Sequence, residues 1–148
     1  MIRVYLIGSL RNRERVQSVA EAVRGKGYEV FDDWLAPGPE ADDQWKEYEE
    51  ARGRTYEEAL EGWAARQVFS FDHYHIRRSN IGILVLPCGK SGHMELGYML
   101  GLGKQAYVLM DQPDRWDVMY KFATRVFFSQ DALLEGLLPF YKGETADE

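Results

Sequence analysis

The sequence has little cysteine, no long hydrophobic run and no excess of positive charge, and each absence excludes a class of protein. Its single cysteine, Cys88, cannot form an internal disulfide, which is typical of a reducing compartment. No apolar run approaches the roughly 20 residues of a membrane span, and the residues after Met1 show no signal-peptide pattern. The net charge of −6 disfavours binding to a nucleic-acid backbone, although a local pocket can still hold one small anion. We therefore expect a cytoplasmic protein that binds neither a membrane nor a nucleic-acid polymer.

The composition is that of an ordinary globular chain. Its 148 residues suffice for one domain with a buried core, and no internal repeat is present. We expect a single domain over residues 1–148 with an insertion at about 36–80. The insertion begins as a loop and continues as one or two amphipathic helices rich in aromatic and acidic side chains. Such a segment either covers the sheet or walls a pocket.

Apolar segments alternate with helical patterns along the rest of the chain. The predicted strands are 2–8, 28–34, 81–87, 105–111 and 125–128, and the predicted helices are 11–27, 92–103, 115–123 and one capped by Ser129. Strands that are apolar on both faces and alternate with helices are typical of a parallel, doubly wound sheet. We predict an α/β, flavodoxin/Rossmann-like fold with five parallel strands in the order 2-1-3-4-5 and helices on both faces.

Polar and small residues follow three of the predicted strands. In a doubly wound sheet, ligands bind beyond the carboxyl ends of the strands, at the point where the strand order reverses. The candidate ligand-binding residues there are Gly8, Ser9 and Arg11 after the first strand, Asp32, Asp33 and Trp34 after the second, and Gly89, Ser91 and Gly92 after the third. Helix N-termini at this edge present backbone N–H groups that favour anions.

The predicted helix 92–103 holds one carboxylate and several glycines, although an interior glycine costs about 1 kcal/mol relative to alanine. We interpret Ser91 as its N-cap, which places Glu95 in the first turn, where the helix dipole favours the ionised carboxylate. A carboxylate held in a pocket can act as a nucleophile, or it can simply cap a neighbouring N–H group. Gly97 and Gly101 share a face that can press on the sheet or on another helix.

The opposite face of the same helix carries Tyr98 beside Glu95, and it points toward a pocket or a partner subunit. Because the helix is apolar nearly all round, one chain can cover only part of it. We therefore expect a homodimer or a higher homo-oligomer.

In its loops and in the glutamate-bearing helix, the sequence resembles the nucleoside 2-deoxyribosyltransferase family. The likeness rests on Gly8-Ser9, Asp72, the run SGHMELG at 91–97 and Gly103-Lys104, and it covers most of the chain outside 36–66. The resemblance implies a flavodoxin-like fold and places the family's glutamate nucleophile on Glu95. Family members cleave the N-glycosidic bond of deoxynucleosides. A related branch hydrolyses nucleoside 5′-monophosphates, and its phosphate-holding first loop is similar to the GSLRN start here.

The resemblance implies a retaining displacement with no cofactor. Glu95 would attack the anomeric carbon of a nucleoside or its 5′-monophosphate, and the glycosyl-enzyme would pass the sugar to another base or to water. A second acid must protonate the leaving base. Asp72 is favoured for this by the resemblance, and Asp32 and Asp33 by their position at a strand end, where they can also serve only as turn or cap residues.

Two further interpretations remain. His73, His75 and His93 invite a metal site, but their spacing matches no specific motif, so no metal is expected. The alternative to an enzyme is a non-catalytic nucleotide-binding or sensing module, because the fold alone does not determine the function.

Overall fold

The computed structural model describes residues 1–38 and 40–137. Five strands form one parallel sheet in the order β2-β1-β3-β4-β5. The strands are β1 (Arg3–Ile7), β2 (Glu29–Phe31), β3 (Ile81–Val85), β4 (Gln105–Leu109) and β5 (Arg125–Phe127). The predicted fold class and strand order are confirmed. The order reverses between the neighbours β1 and β3, so the loops after these two strands lie side by side.

Helices cover both faces of the sheet. They are α1 (Arg13–Gly25), α2 (Ala41–Ala51), α3 (Tyr56–Leu60), α4 (Trp63–Arg78), α5 (Lys90–Gly101) and α6 (residues 130–137). One core lies under α1 and α6, and the other lies under α4 and α5. None of the described helices is long and apolar enough to cross a bilayer.

The alternation of side chains along β1 serves both cores. Val4 and Leu6 pack in the core under α1, whereas Tyr5 and Ile7 pack in the core under α4 and α5. All five residues of β3, at the centre of the sheet, are buried. Successive side chains of a strand point to opposite faces, so a central strand covered on both sides has no polar position.

The insertion contains three helices instead of the one or two predicted. Gly53, with φ of +74°, follows α2. The Thr55 hydroxyl and the Glu58 carboxylate then form a capping box that starts α3. The spacing T-x-x-E was the sequence signal for this extra start. Helix α4 runs on to Arg78, so its second half packs on the sheet.

Two predicted elements differ from the structure. The predicted strand 28–34 ends at Phe31, and Asp33–Leu35 form a 3₁₀ turn. The predicted helix 115–123 is only a 3₁₀ turn at Val118–Phe122. The amide of Thr124 bonds to the carbonyl of Ala106, so the chain must leave any helix there to pair with β4. Ser129 caps α6 as predicted, and residues 138–148 of the predicted domain lie outside the described residues.

Candidate active site

The candidate site is built around Glu95, Asp72 and Tyr5, which three different elements supply. Tyr5 is a buried residue of β1, Asp72 lies on the sheet-facing half of α4, and Glu95 lies on α5. Burial raises the pKa of the Tyr5 hydroxyl far above its usual range, and the charges of Glu95 and Asp72 add to that effect. The three groups are therefore close enough to influence one another's ionisation.

Two carboxyl groups of this site have raised pKa values. Burial raises the pKa of Glu95 to about 7; a hydrogen bond from Tyr5 lowers it, and the charge of Asp72 raises it further. Burial raises the pKa of Asp72 to about 6. One oxygen of Glu95, Oε2, is buried without a hydrogen-bond partner. Between about pH 6 and 7 the pair holds roughly one proton, so one group can act as an acid while the other acts as a base.

The prediction about the start of α5 is wrong in one respect. The helix begins at Lys90 with Gly89 at the N-cap, so Ser91 is an exposed second residue of the helix and not its cap. Glu95 consequently lies in the second turn, beyond the reach of the N-terminal dipole. Burial is instead the largest influence on the pKa of Glu95, and its carboxyl group is harder to ionise than that of an ordinary glutamate.

Gly92 allows the start of α5 to lie directly on the sheet. A Cβ at this position would be 2.2 Å from the Cys88 sulfur and 3.2 Å from the side chains of Ile7 and Leu84. The close approach sets the height of Glu95 above β1. Burial raises the pKa of the Cys88 thiol, with the charge of Glu95 as the next cause, which suits a packing role for this cysteine.

The loop after β1 contacts the loop after β3, as predicted for neighbouring strands. The Asn12 side-chain amide donates to the Pro87 carbonyl at 3.5 Å, which links the two loops. Ser9 Oγ accepts a hydrogen bond from the Arg11 amide at 3.1 Å, so its own proton remains available to a ligand. The Arg11 side chain is exposed and forms no ion pair within the described residues.

Trp34 folds back over the end of β1. Its indole nitrogen donates to the Leu6 carbonyl at 2.7 Å, and a Cβ at Gly8 would lie 3.4 Å from its ring. The same Cβ would lie 2.6 Å from the Val16 side chain, which explains why glycine occupies this position. Gly8 and Trp34 are therefore close together at the end of β1.

The two aspartates after β2 do not join the carboxyl pair. Asp32 forms an ion pair with Arg24 at 2.7 Å, which holds it against α1. Asp33 is exposed in the turn that follows. Of the three candidates for the second acid, Asp72 alone acts on the ionisation of Glu95.

Tyr98 joins the two helices that carry the acids. It lies one turn beyond Glu95 on α5, and its hydroxyl is 2.7 Å from Nε2 of His73, the neighbour of Asp72 on α4. Phe69 stacks on His73 with ring centroids 5.3 Å apart. This hydrogen bond links α4 to α5 beside the two residues that carry the carboxyl groups.

The three histidines have separate environments. His75 stacks on Phe31 at 3.9 Å between ring centroids, and His73 contacts Tyr98. His93 is bonded to the Gly89 carbonyl and the Tyr120 hydroxyl. Within residues 1–38 and 40–137, no group of three or more His, Cys, Asp or Glu side chains is placed to hold a metal ion.

Sequence reasoning missed Tyr5 and His73. The signal for Tyr5 was a hydroxyl inside a strand that is apolar on both faces, since a buried tyrosine hydroxyl needs a partner. His73 had no comparable signal, because its role depends on the separation of α4 from α5.

Comparison with known proteins defines the fold. No family model and no curated protein sequence matches the chain. A CMP N-glycosidase structure from Clostridium botulinum matches with a TM-score of 0.55 and 14% identity, over 91% of this chain and 97% of that chain. A 2-deoxyribosyltransferase from Bacillus psychrosaccharolyticus matches with a TM-score of 0.60 and 18% identity, over 89% and 90%.

A conserved protein from Enterococcus faecalis also matches, with a TM-score of 0.65 and 12% identity, over 91% of this chain and 96% of that chain. The chain therefore has the α/β fold that these three proteins share. At these identities the likeness extends to the fold alone.

Proposed function

We propose that this protein cleaves the N-glycosidic bond of a (2′-deoxy)nucleoside or its 5′-monophosphate, with Glu95 as the nucleophile. The observation that carries the proposal is the pair of partly buried carboxyl groups, Glu95 and Asp72, which influence each other and whose pKa values are both raised. Strongly perturbed acids in one cleft are typical of catalytic sites. The N-glycosidase and the deoxyribosyltransferase of the same fold support nucleotides and nucleosides as the substrate class.

In the first step, the ionised Glu95 attacks C1′ of the sugar. The C1′–N bond breaks, and the base leaves with the bonding electrons and with a proton from Asp72. The free Oε2 of Glu95 has no partner to displace before it forms the new bond. The hydrogen-bonding interaction with Tyr5 lowers the pKa of Glu95 and so favours the ionised carboxylate that attacks.

The reactive form needs the proton on Asp72, although the two pKa values favour Glu95 as its holder in the free protein. Positive charge develops on the sugar ring in an oxocarbenium-like transition state, and it favours an ionised Glu95 beside it. The developing positive charge therefore opposes the preference of the free protein for a protonated Glu95.

In the second step, water or another base attacks C1′ of the glycosyl-enzyme. The ionised Asp72 accepts the proton of the attacking group, and the C1′–O bond to Glu95 breaks, so both carboxyl groups return to their starting state. The proton count balances for hydrolysis and for transfer. The same residues therefore serve either outcome, and the acceptor decides between them.

The first loop suits a 5′-phosphate. The Ser9 hydroxyl accepts a hydrogen bond from the Arg11 amide and can donate its own proton to a ligand, and the exposed Arg11 guanidinium forms no ion pair among the described residues. A hydrogen bond between a guanidinium and a phosphate is charge-assisted, and such bonds are stronger than those between neutral groups. Gly8 and Trp34 would line the sugar side of the cleft, with Gly89, Ser91 and Gly92 at the start of α5 opposite them.

The experiment is a panel of nucleosides and their 5′-monophosphates, incubated with the protein with and without an added acceptor base. Free base and exchanged nucleoside are separated by chromatography. We expect base release or exchange for at least one member, and loss of both in Glu95→Gln. Binding of a nucleotide with no bond cleavage across the panel would favour the non-catalytic module instead.

A further inference from the structure

A second cleft lies at the edge of the sheet where the parallel strands begin. This cavity of about 350 Å³ is formed by the end of α4, the residue before β3 and the start of β4, and its lining includes Arg77, Arg78, Asn80, Lys104 and Gln105. The loops of the candidate active site follow the strands and therefore lie at the opposite edge. Neither Glu95 nor Asp72 lines this cavity, so the proposed chemistry leaves it without a role.

The charged side chains around the cavity are all positive. They are Arg77, Arg78 and Lys104, and no carboxylate lines the cavity. None of the three forms an ion pair within residues 1–38 and 40–137. Burial lowers the pKa of Lys104, and the nearby charge of Arg77 lowers it further, so the positive charges repel one another. An anion in the cavity would relieve this repulsion.

The carbonyl groups at the end of α4 are already occupied. A helix leaves its last four carbonyls without an intrahelical partner, and their partial negative charge would repel an anion. The Arg3 guanidinium donates to the Arg78 carbonyl at 3.2 Å, and the Ser79 hydroxyl donates to the His75 carbonyl at 2.8 Å. Lys104 Nζ donates to three further carbonyls, those of Ile76, Arg77 and Ser79. The end of the helix therefore does not oppose an anion in the cavity.

Two side-chain amides in the cavity are oriented as donors. The side-chain oxygen of Asn80 accepts the Arg3 backbone N–H at 2.8 Å, and the side-chain oxygen of Gln105 is bonded to the Tyr107 hydroxyl. Because each oxygen has a partner, each amide keeps its NH₂ group for a ligand. The two amides and the two guanidinium groups thus offer several N–H donors, which is the complement of an anion.

The size of the cavity suits an anion larger than a single phosphate. A water molecule occupies about 30 Å³ in the liquid, so the cavity has room for on the order of ten atoms of that size. A diphosphate group is of about this size and carries several negative charges. Guanidinium groups bind phosphate oxygens in pairs, and the adjacent Arg77 and Arg78 supply two such groups.

We propose that this cavity binds a diphosphate group, either as the free ion or as part of a nucleoside diphosphate. Arg77 and Arg78 hold the phosphate oxygens, and Lys104 contributes its positive charge. The site is separate from the first loop, where Ser9 and Arg11 are proposed to hold a 5′-phosphate. Its test measures binding and does not depend on activity.

The test is made in the Arg11→Ala protein, so that the first loop contributes little to binding. Inorganic diphosphate and a nucleoside 5′-diphosphate would each be titrated by calorimetry at low salt. The cavity variant adds Arg77→Gln and Arg78→Gln. The control variant instead adds Arg52→Gln and Arg66→Gln, which remove two exposed guanidinium groups outside the cavity and change the net charge equally.

We expect inorganic diphosphate to bind the Arg11→Ala protein and the control variant equally, and to bind the cavity variant roughly a hundredfold more weakly, because each lost guanidinium costs about tenfold or more. The same loss for the nucleoside diphosphate would show that the site also accepts the ester. A loss for the free ion alone would restrict the site to that ion.

Nuclear magnetic resonance locates the site independently. The side-chain NH₂ signals of Asn80 and Gln105 should shift when diphosphate is added to the Arg11→Ala protein. Circular dichroism would check that each variant is folded, and if the cavity variant is not, these shifts alone decide. Undetectable binding at millimolar diphosphate, equal affinities of the cavity and control variants, or unshifted NH₂ signals would overturn the proposal.

Discussion

The hydroxyl of Tyr5, in the middle of the first strand, acts on the carboxyl group of Glu95 in the second turn of α5: its hydrogen-bonding interaction lowers the pKa of that group. This contact connects the centre of the sheet to the helix that carries the proposed nucleophile. It also opposes the effect of burial, because it stabilises the ionised carboxylate. The ionisation of Glu95 thus depends on a residue that faces the core.

Replacing Tyr5 with phenylalanine tests this link. The loss of the hydrogen bond should raise the pKa of Glu95 further above 7 and move the acidic limb of the pH–rate profile to higher pH. A hydrogen bond to a charged group contributes about 1.5–3 kcal/mol, so kcat/KM near pH 6 should fall roughly ten- to hundredfold. Tyr107→Phe removes a buried hydroxyl from the opposite core and serves as the control. An unshifted profile in Tyr5→Phe would show that the contact has no role in ionisation.

The burial of Glu95 should cost the protein stability. A carboxyl group whose pKa is raised on folding favours the folded state below its unfolded pKa of 4.5, and that contribution is lost as the pH rises through about 7. Glu95→Gln is neutral at every pH. It should therefore be more stable than the wild type near pH 8, by on the order of 2–3 kcal/mol, and equally stable near pH 4. Urea unfolding at both pH values measures this difference.

Glu29 provides a control of opposite sign. A hydrogen bond from Arg3 lowers the pKa of this exposed carboxylate, so its contribution is present above pH 4.5 and lost as the pH falls. Glu29→Gln should therefore destabilise the protein slightly near pH 8. If both glutamine variants shift stability in the same direction, the raised pKa of Glu95 is wrong.

Much of the fold could be predicted from the sequence because parallel strands leave a strong pattern. The apolar run 81–85 is buried on both faces, and the alternation of such runs with helices indicates a parallel, doubly wound sheet. The sequence also singles out Glu95, because it is a lone acid in an apolar helix. The direction of its pKa shift could not be predicted, because the expected helix-dipole effect depended on where α5 begins. The cap lies two residues earlier than predicted, and burial comes from tertiary packing.

The 3₁₀ turn at Val118–Phe122 shows a different limit. Its residues have a helical pattern, yet Thr124 must bond to the Ala106 carbonyl to start β5. A local pattern does not contain that long-range constraint. Likewise, Asp32 is a reasonable acid at a strand end, but its pairing with Arg24 follows from the position of α1.

Asp72→Asn should separate protonation from attack. With a natural base as leaving group, the loss of a general acid should reduce kcat by about 10²- to 10⁴-fold. With a substrate whose leaving group departs as a stable anion, such as a nitrophenyl deoxyriboside, the rate should change much less. The measured quantity is the ratio of the two kcat values in each protein. Equal losses for both substrates would mean that Asp72 acts on something other than the leaving group.

Arg11→Ala tests whether the first loop holds a phosphate. Losing one charge-assisted hydrogen bond should lower kcat/KM for a 5′-monophosphate by roughly ten- to hundredfold, while the nucleoside should be nearly unaffected. Lys26→Ala, which removes an exposed positive charge just after α1, should affect neither substrate. A wild type that prefers the nucleoside, or an Arg11→Ala variant impaired equally on both, would argue for a plain nucleoside substrate.

The most direct measurement is the identification of the residue that becomes attached to the sugar. A 2′-fluoro nucleoside or its 5′-monophosphate should react in the first step and resist the second, because fluorine destabilises the oxocarbenium-like transition state. The protein would then be digested, and its peptides analysed by mass spectrometry. The account predicts a fluorosugar on the peptide that contains Glu95, and none in Glu95→Gln. A fluorosugar on another residue, or base release by the wild type and Glu95→Gln at equal rates, would contradict it.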